Sequence, residues 1–143
     1  MADPLQPESC LVFRFGSNRC PDSVWTALTT PAETRQFLFG IGLESMWELG
    51  STITGWLAGF EVVLGEVLFV DVPNRLSYVL AAGPEQPEVY VTWEVRGCTT
   101  GAIVGLYVDE PGTSADEVES SWQPVVTALQ SLLSENPSVY EQE

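Results

Sequence analysis

The chemistry open to this chain is limited first by the side chains that it lacks. It has no histidine, and its five cationic side chains are all arginines. A Ser-His-Asp triad, a Cys-His pair and a histidine-ligated metal are therefore excluded, as is a Schiff base on a lysine amine. No glycine-rich phosphate loop occurs, which argues against a nucleotide cofactor. Any catalysis must then use carboxylates, tyrosines, arginines, thiols or ordered water.

Glu66 is the one carboxylate that the pattern singles out for acid–base work, and it is a weak candidate. It lies in a predicted strand, residues 61–70, and the sequence does not decide which face of this strand points toward the core. One face would carry Val62, Leu64, Glu66, Leu68 and Val70, and the other Val63, Val67 and Phe69. If the first set faces inward, Glu66 lies among apolar groups, where desolvation disfavours a charged carboxylate. If the second set does, Glu66 is solvated or paired with an arginine, as is commoner for glutamate.

The cysteines favour neither a metal site nor a disulfide framework. The chain has an odd number of cysteines, which are widely spaced and form no CxxC motif: Cys10, Cys20 and Cys98. We expect reduced, partly buried thiols and no bound metal.

The charge balance restricts the partners. The formal net charge is −15 at pH 7, with 20 acidic side chains against five basic ones. Affinity for nucleic acid comes largely from arginine and lysine on phosphates, so DNA and RNA are poor partners. An anionic membrane surface is disfavoured for the same reason. The acidity either keeps the protein in solution by self-repulsion or favours a cationic ligand or partner.

Length and hydropathy predict one globular domain over residues 1–143, with loose termini at 1–9 and 136–143. A chain of 143 residues with 45% hydrophobic side chains can bury a substantial core. No apolar run is long enough to span a bilayer, and the first residues lack the pattern of a signal peptide. We therefore expect a cytoplasmic location.

Hydrophobic periodicity and turn residues predict a strand, two short helices, six strands and a long helix. The strands fall near 10–15, 43–48, 51–57, 61–70, 75–81, 88–96 and 102–108. The short helices begin at Pro21 and Pro31, and Thr30 with Glu33 is predicted to form a capping box for the second. Short connections between successive strands favour an antiparallel meander.

The long helix, over about 114–134, has a single apolar stripe. Its members recur at spacings of three and four: Val118, Trp122, Val125, Val126, Leu129, Leu132 and Leu133.

Short motifs along this order resemble one known superfamily. They are Val24-Trp25, Ala27-Leu28-Thr29, Pro31, Glu33-Thr34-Arg35, Phe37-Leu38, Trp47, Gly50, Gly65-Glu66-Val67-Leu68, Asp71, Pro73, Arg75-Leu76-Ser77-Tyr78, Val91-Thr92-Trp93-Glu94 and Trp122-Gln123-Pro124. On these residues the chain resembles the START-like (SRPBCC, Bet v-like) superfamily, and within it the homologues of the activator of Hsp-ninety ATPase. The resemblance implies an α+β helix-grip fold, in which a curved antiparallel sheet of about seven strands wraps around the long C-terminal helix. The two short helices after the first strand would close one end of a ligand cavity between sheet and helix.

The resemblance also places aromatic side chains around that cavity. The expected ligand-binding residues are Trp47, Trp56, Phe60, Tyr78, Trp93 and Trp122, with Val118 and Val126 from the long helix. Aromatic walls with a few polar tips suit a flat, apolar or polycyclic ligand. The alternative is that these rings fill the core and leave no cavity, since a small domain needs large side chains to bury area. Trp122 is the strongest single candidate for a ligand contact.

Three functions fit this fold, and the resemblance implies each of them. The preferred hypothesis is binding of a hydrophobic, aromatic or polycyclic small molecule for carriage, sequestration or self-resistance, without a cofactor. The alternative is a polyketide cyclase or aromatase, for which the shape of the cavity and one acid–base group could suffice. A co-activator module for a chaperone ATPase is less favoured, because the resembled domain acts there beside another domain. The expected partner is thus a small molecule, with no nucleic acid and no membrane, and the expected state is a monomer or homodimer.

Overall fold

Seven strands and three helices follow the predicted order in residues 11–83 and 86–134, which a computed structural model of the protein describes. The strands are β1 (Leu11–Ser17), β2 (Gly42–Ser45), β3 (Thr52–Leu57), β4 (Phe60–Asp71), β5 (Arg75–Ala81), β6 (Glu88–Cys98) and β7 (Gly101–Asp109). The helices are α1 (Pro21–Thr29), α2 (Pro31–Phe37) and α3 (Ala115–Ser134). The expectations for Cys10 and for the two termini lie outside the described residues. Cys20 and Cys98 are exposed, so the expectation of partly buried thiols is wrong for these two.

All seven strands form one antiparallel sheet, in the order β1-β7-β6-β5-β4-β3-β2. Strands β2 to β7 make a meander, as short turns between consecutive strands require. Strand β1 joins the far edge, where Leu11 pairs with Val108. The predicted α+β fold, a curved sheet with a long C-terminal helix and two short helices after the first strand, is confirmed.

The core lies between the inner face of this sheet and α3. The whole predicted stripe of α3, from Val118 to Leu133, is buried. On the sheet side, alternate residues of the central strands meet it, as the period of two in a strand requires. They include Val91, Trp93 and Val95 of β6.

A bulge determines which residues of β4 point toward the core, the question that the sequence left open. Val67 is fully buried, so Glu66 lies on the opposite face and is exposed. The register shifts between Val67 and Phe69, and Val70 then packs against the core. An extra residue in a strand reverses the alternation beyond it, which is why neither face alone accounts for the apolar residues of β4.

The predicted capping box at α2 is wrong, and one that the sequence analysis missed begins α3. The Thr30 side chain makes no capping hydrogen bond, and its backbone carbonyl accepts from the amides of Glu33 and Thr34 instead. At α3 the Ser114 hydroxyl accepts from the amide of Glu117 at 3.2 Å, and the Glu117 carboxylate accepts from the Ser114 hydroxyl at 2.9 Å. Ser114-Ala115-Asp116-Glu117 therefore forms the reciprocal capping pair.

A buried threonine connects α2 to β2. The Thr34 side chain is 1% exposed. Its hydroxyl accepts a hydrogen bond from the backbone amide of Leu43 at 2.9 Å and donates to the carbonyl of Pro31 at 3.3 Å. This contact fixes where β2 begins relative to the second helix.

Candidate functional site

An apolar cavity of about 210 Å³ lies between the sheet and α3, beside the segment that joins α2 to β2. Its lining residues are Leu38, Phe39, Ile41, Leu43, Val63, Leu80, Ala81, Ala82, Pro87, Val89 and Trp122. None of these side chains is ionisable, and the indole N–H of Trp122 is their one polar side-chain group. Three larger depressions, of about 630, 730 and 610 Å³, mix apolar groups with charged, polar or thiol side chains. The smaller cavity is therefore the candidate site for an apolar ligand.

A strained turn forms one rim of the cavity. Phe39 and Gly40 both have positive φ, 56° and 75°, and this pair reverses the chain from α2 into β2. A residue other than glycine in this region costs on the order of 1 kcal/mol, so the packing around Phe39 must offset that cost. The Phe39 ring meets the Trp122 ring edge-on, with the centroids 5.2 Å apart and an interplanar angle of 83°. The cavity rim thus depends on an aromatic pair.

The floor of the cavity depends on a glycine in β3. A Cβ atom placed on Gly55 would lie 2.8 Å from Cγ2 of Ile41 and 3.0 Å from Cβ of Val63. Real Cβ atoms do not approach other atoms so closely in a packed interior. Glycine at this position therefore leaves the space that two lining side chains, Ile41 and Val63, need.

Trp122 is held in place through its polar edge. Its indole N–H donates to the Glu110 carboxylate at 2.6 Å, a short charge-assisted hydrogen bond. Glu110 lies one residue after β7, and the capping pair at Ser114 begins α3 shortly afterwards. Two local features thus position the indole ring in the cavity lining with its N–H toward a carboxylate.

Three of the predicted ligand-binding aromatics belong to the core instead. Tyr78 and Trp93 are each 1% exposed, and the Trp93 indole donates to the Tyr78 hydroxyl at 2.9 Å. Trp47 is half-buried and packs on Tyr78, with ring centroids 6.0 Å apart. Burial raises the pKa of Tyr78, because the phenolate would lose its hydration. None of the three is among the residues that line the cavity of about 210 Å³.

Two further predicted aromatics are exposed to solvent. Trp56 is 40% exposed, and its indole donates to the Glu44 carboxylate at 3.2 Å. Phe60 is 73% exposed and follows the tight turn at Gly59. Neither lines the cavity. Glu66 also lies outside it, exposed in a surface depression with Val79 rather than among the apolar groups considered for it from the sequence.

The predicted valines of α3 are core residues: Val118 is fully buried and Val126 is 4% exposed. Of the predicted set, Trp122 alone lines the cavity. Sequence reasoning missed Phe39 on the rim and Glu110 behind Trp122. The pair Phe39-Gly40 was a usable signal, because an aromatic residue beside a glycine just after a helix indicates a tight reversal.

The described ranges contain neither a cluster of metal-ligating side chains nor a helix suited to a membrane. No group of three or more His, Cys, Asp or Glu side chains in 11–83 and 86–134 is placed to hold a metal ion. No helix in those ranges combines the length and the apolar character needed to cross a membrane.

The architecture is that of the START-like helix-grip proteins, and comparison with solved structures agrees. The sequence itself matches no family model and no curated protein. A protein from Mesorhizobium loti is 19% identical, with a TM-score of 0.72 over 87% of this chain and 96% of its own. An HSP90 activator from Plasmodium falciparum is 14% identical, with a TM-score of 0.68 over 87% of this chain and 96% of its own.

A third neighbour is DynU16, a protein from the dynemicin biosynthetic locus. It is 21% identical, with a TM-score of 0.72 over 89% of this chain. This chain spans about half of DynU16, 48% of its length. At these identities the likeness establishes the fold, and function must be argued from the cavity.

Proposed function

We propose that the protein binds a small apolar molecule in the cavity between its sheet and α3. The observation that carries this proposal is the lining, in which all eleven side chains are apolar or aromatic. Apolar pockets with few polar groups are typical of small-molecule sites. The proposed role is carriage, sequestration or self-resistance, which needs only reversible binding.

The size of the cavity narrows the class of ligand. An apolar protein cavity of about 150 Å³ can hold benzene, whereas sites for drug-sized ligands measure about 300–1,000 Å³. At about 210 Å³, this cavity accommodates one aromatic ring with a short chain, or a short alkyl group. A polycyclic ligand would exceed it, so we propose a single-ring or short-chain ligand as the buried part.

The cavity favours binding over catalysis. A cyclase would need a proton donor or acceptor within hydrogen-bond reach of its substrate. None of the eleven lining side chains that the structure describes is ionisable, Glu66 is exposed on the other face of β4, and the Glu110 carboxylate at the cavity edge already accepts from the Trp122 indole. Neighbours from a biosynthetic locus and from HSP90 activation share this fold, so the fold itself favours neither of those roles.

The first prediction is that filling the cavity mouth abolishes binding. Ala82 lines the cavity and is exposed, so Ala82→Phe can occupy the space without displacing the core. Phenethyl alcohol, which has one ring and a short chain, is the probe, and backbone amide shifts in NMR report its binding. We expect saturable shifts around the cavity in the wild type and none in Ala82→Phe.

Ala32→Phe is the matched control, because Ala32 is exposed on α2 and does not line the cavity. It should bind the probe as the wild type does. Binding that survives in Ala82→Phe, or a wild type that shows no saturable shifts with phenethyl alcohol, would contradict the proposal.

A further inference from the structure

A carboxylate lies at the edge of the apolar cavity. Glu110 directly follows Asp109, the last residue of β7, which pairs with Tyr90 of β6. The Trp122 indole, which lines the cavity, donates its N–H to the Glu110 Oε2 atom at 2.6 Å. Glu110 therefore adjoins a lining residue of α3, and it is only partly exposed.

The negative charge of Glu110 has no cationic partner in the part of the chain that the structure describes. Its one recorded side-chain contact there is the neutral indole of Trp122. Arg14, Arg75 and Arg96 line a common depression with Glu94, and Arg19 donates to the carbonyl of Leu132 at the far end of α3. Arg35 lies in the last turn of α2, and no ion pair between it and Glu110 is found among the described residues.

Two further carboxylates, Glu88 and Asp109, lie at this end of the sheet. The Glu88 side chain lies on the outer face of β6, in the depression that also contains Glu66. The Tyr90 hydroxyl donates to Glu88 at 2.9 Å. This bond, together with the charge of Glu88, some desolvation and the charge of Asp109, raises the pKa of Tyr90. These groups add negative charge near this end of the sheet but do not line the cavity.

We propose that the natural ligand is an amphiphilic amine, with its apolar part in the cavity and its protonated amine bound by Glu110. The inference rests on the proposed function, since it names the ligand class of the same site. The ammonium group would donate to the Glu110 carboxylate while Trp122 keeps its own hydrogen bond to it. The surplus of acidic groups on the molecule would also attract a cation from solution.

Three ligands with the same ring and chain length test this directly: phenethylamine, phenethyl alcohol and phenylacetate. Hydrogen bonds to charged groups contribute enough for the amine to bind about tenfold tighter than the alcohol, and the carboxylate should bind weakest. Dissociation constants come from NMR titration of the wild-type protein. The preference for the amine should fall as salt is added, because Glu110 is partly exposed.

Glu110→Gln is the decisive variant. The amide oxygen can still accept from the Trp122 indole, so the cavity is retained while the charge is removed. We expect phenethyl alcohol to bind as before and the amine to lose its roughly tenfold advantage. Glu119→Gln, an exposed position on α3, changes the net charge equally and should keep the preference.

The outcomes separate the inference from the function on which it rests. If amine and alcohol bind equally to the wild type, or if Glu119→Gln abolishes the preference as fully as Glu110→Gln, the inference is overturned and the apolar site stands. Amine binding that persists in Ala82→Phe would mean ion association at the surface and would also overturn it. If none of the three ligands binds, the proposed function fails as well.

Discussion

At the scale of single residues, Tyr78 and Trp93 show how this core accommodates polar atoms. Both rings are buried, and the indole N–H of one meets the hydroxyl of the other at 2.9 Å. The sequence analysis placed both rings at the ligand, because aromatic residues can either line a ligand cavity or fill a core. The hydrogen bond indicates a structural role, since a buried N–H that lost its acceptor would cost free energy without any ligand present.

We therefore predict that Tyr78→Phe destabilises the protein. The change removes the acceptor of the Trp93 indole and leaves a buried N–H unpaired, which costs about 1–3 kcal/mol. The free energy of unfolding in urea measures the effect. Tyr90→Phe is the control, because Tyr90 is exposed and its loss should change stability by less than about 0.5 kcal/mol. Equal effects of the two substitutions would refute the role given to Tyr78.

At the scale of the elements, the contact between α2 and β2 determines the shape of the cavity. Leu38 and Leu43 both line it, and between them the chain turns through Phe39 and Gly40. Thr34 spans the turn by accepting a hydrogen bond from the amide of Leu43. A single buried hydroxyl thus holds the first residues of β2 against the helix.

Replacing that hydroxyl tests the idea. Thr34→Val keeps the size of the side chain but leaves the Leu43 amide without its acceptor, so we expect a loss of about 1–3 kcal/mol in unfolding free energy. Urea denaturation gives this value, and amide exchange at Leu43 should accelerate in parallel. Thr26→Val serves as the comparison, since Thr26 is exposed on α1 and donates only to the carbonyl of Asp22. An unchanged exchange rate at Leu43 would show that the hydroxyl does not hold β2.

At the scale of the whole molecule, the large negative net charge destabilises the folded state. A net charge of −15 on 143 residues produces self-repulsion that compaction increases. We predict that the melting temperature rises between low-salt buffer and about 0.5 M NaCl, because screening shortens the range of that repulsion. Calorimetry measures it. Glu61→Gln, at an exposed position of β4, should melt higher than the wild type at low salt and show a weaker salt dependence. A melting temperature independent of salt would be inconsistent with this account.

The sequence predicted the elements, whereas of the expected ligand-binding residues only Trp122 lines the candidate cavity, and the difference has a physical cause. Periodicity and turn residues are local, so they indicated the three helices and most strand positions. The cavity forms where distant segments meet: Phe39, Val63 and Trp122 come together only in the folded chain. The bulge in β4 and the capping pair at Ser114 depend on backbone geometry. Of these, the Ser-x-x-Glu spacing was available in the sequence.

The position of β1 in the sheet has a consequence for synthesis on the ribosome. Among the strands of residues 11–83 and 86–134, β1 pairs with β7 alone, through pairs such as Leu11 with Val108, so the strand of this sheet that is synthesised first is paired by the one synthesised last. Until β7 leaves the exit tunnel, β1 presents an unpaired edge together with the apolar side chains that α3 will later cover. The sheet cannot be completed before β7 has been made, and a chain that stalls before Gly101 would be a natural client of chaperones.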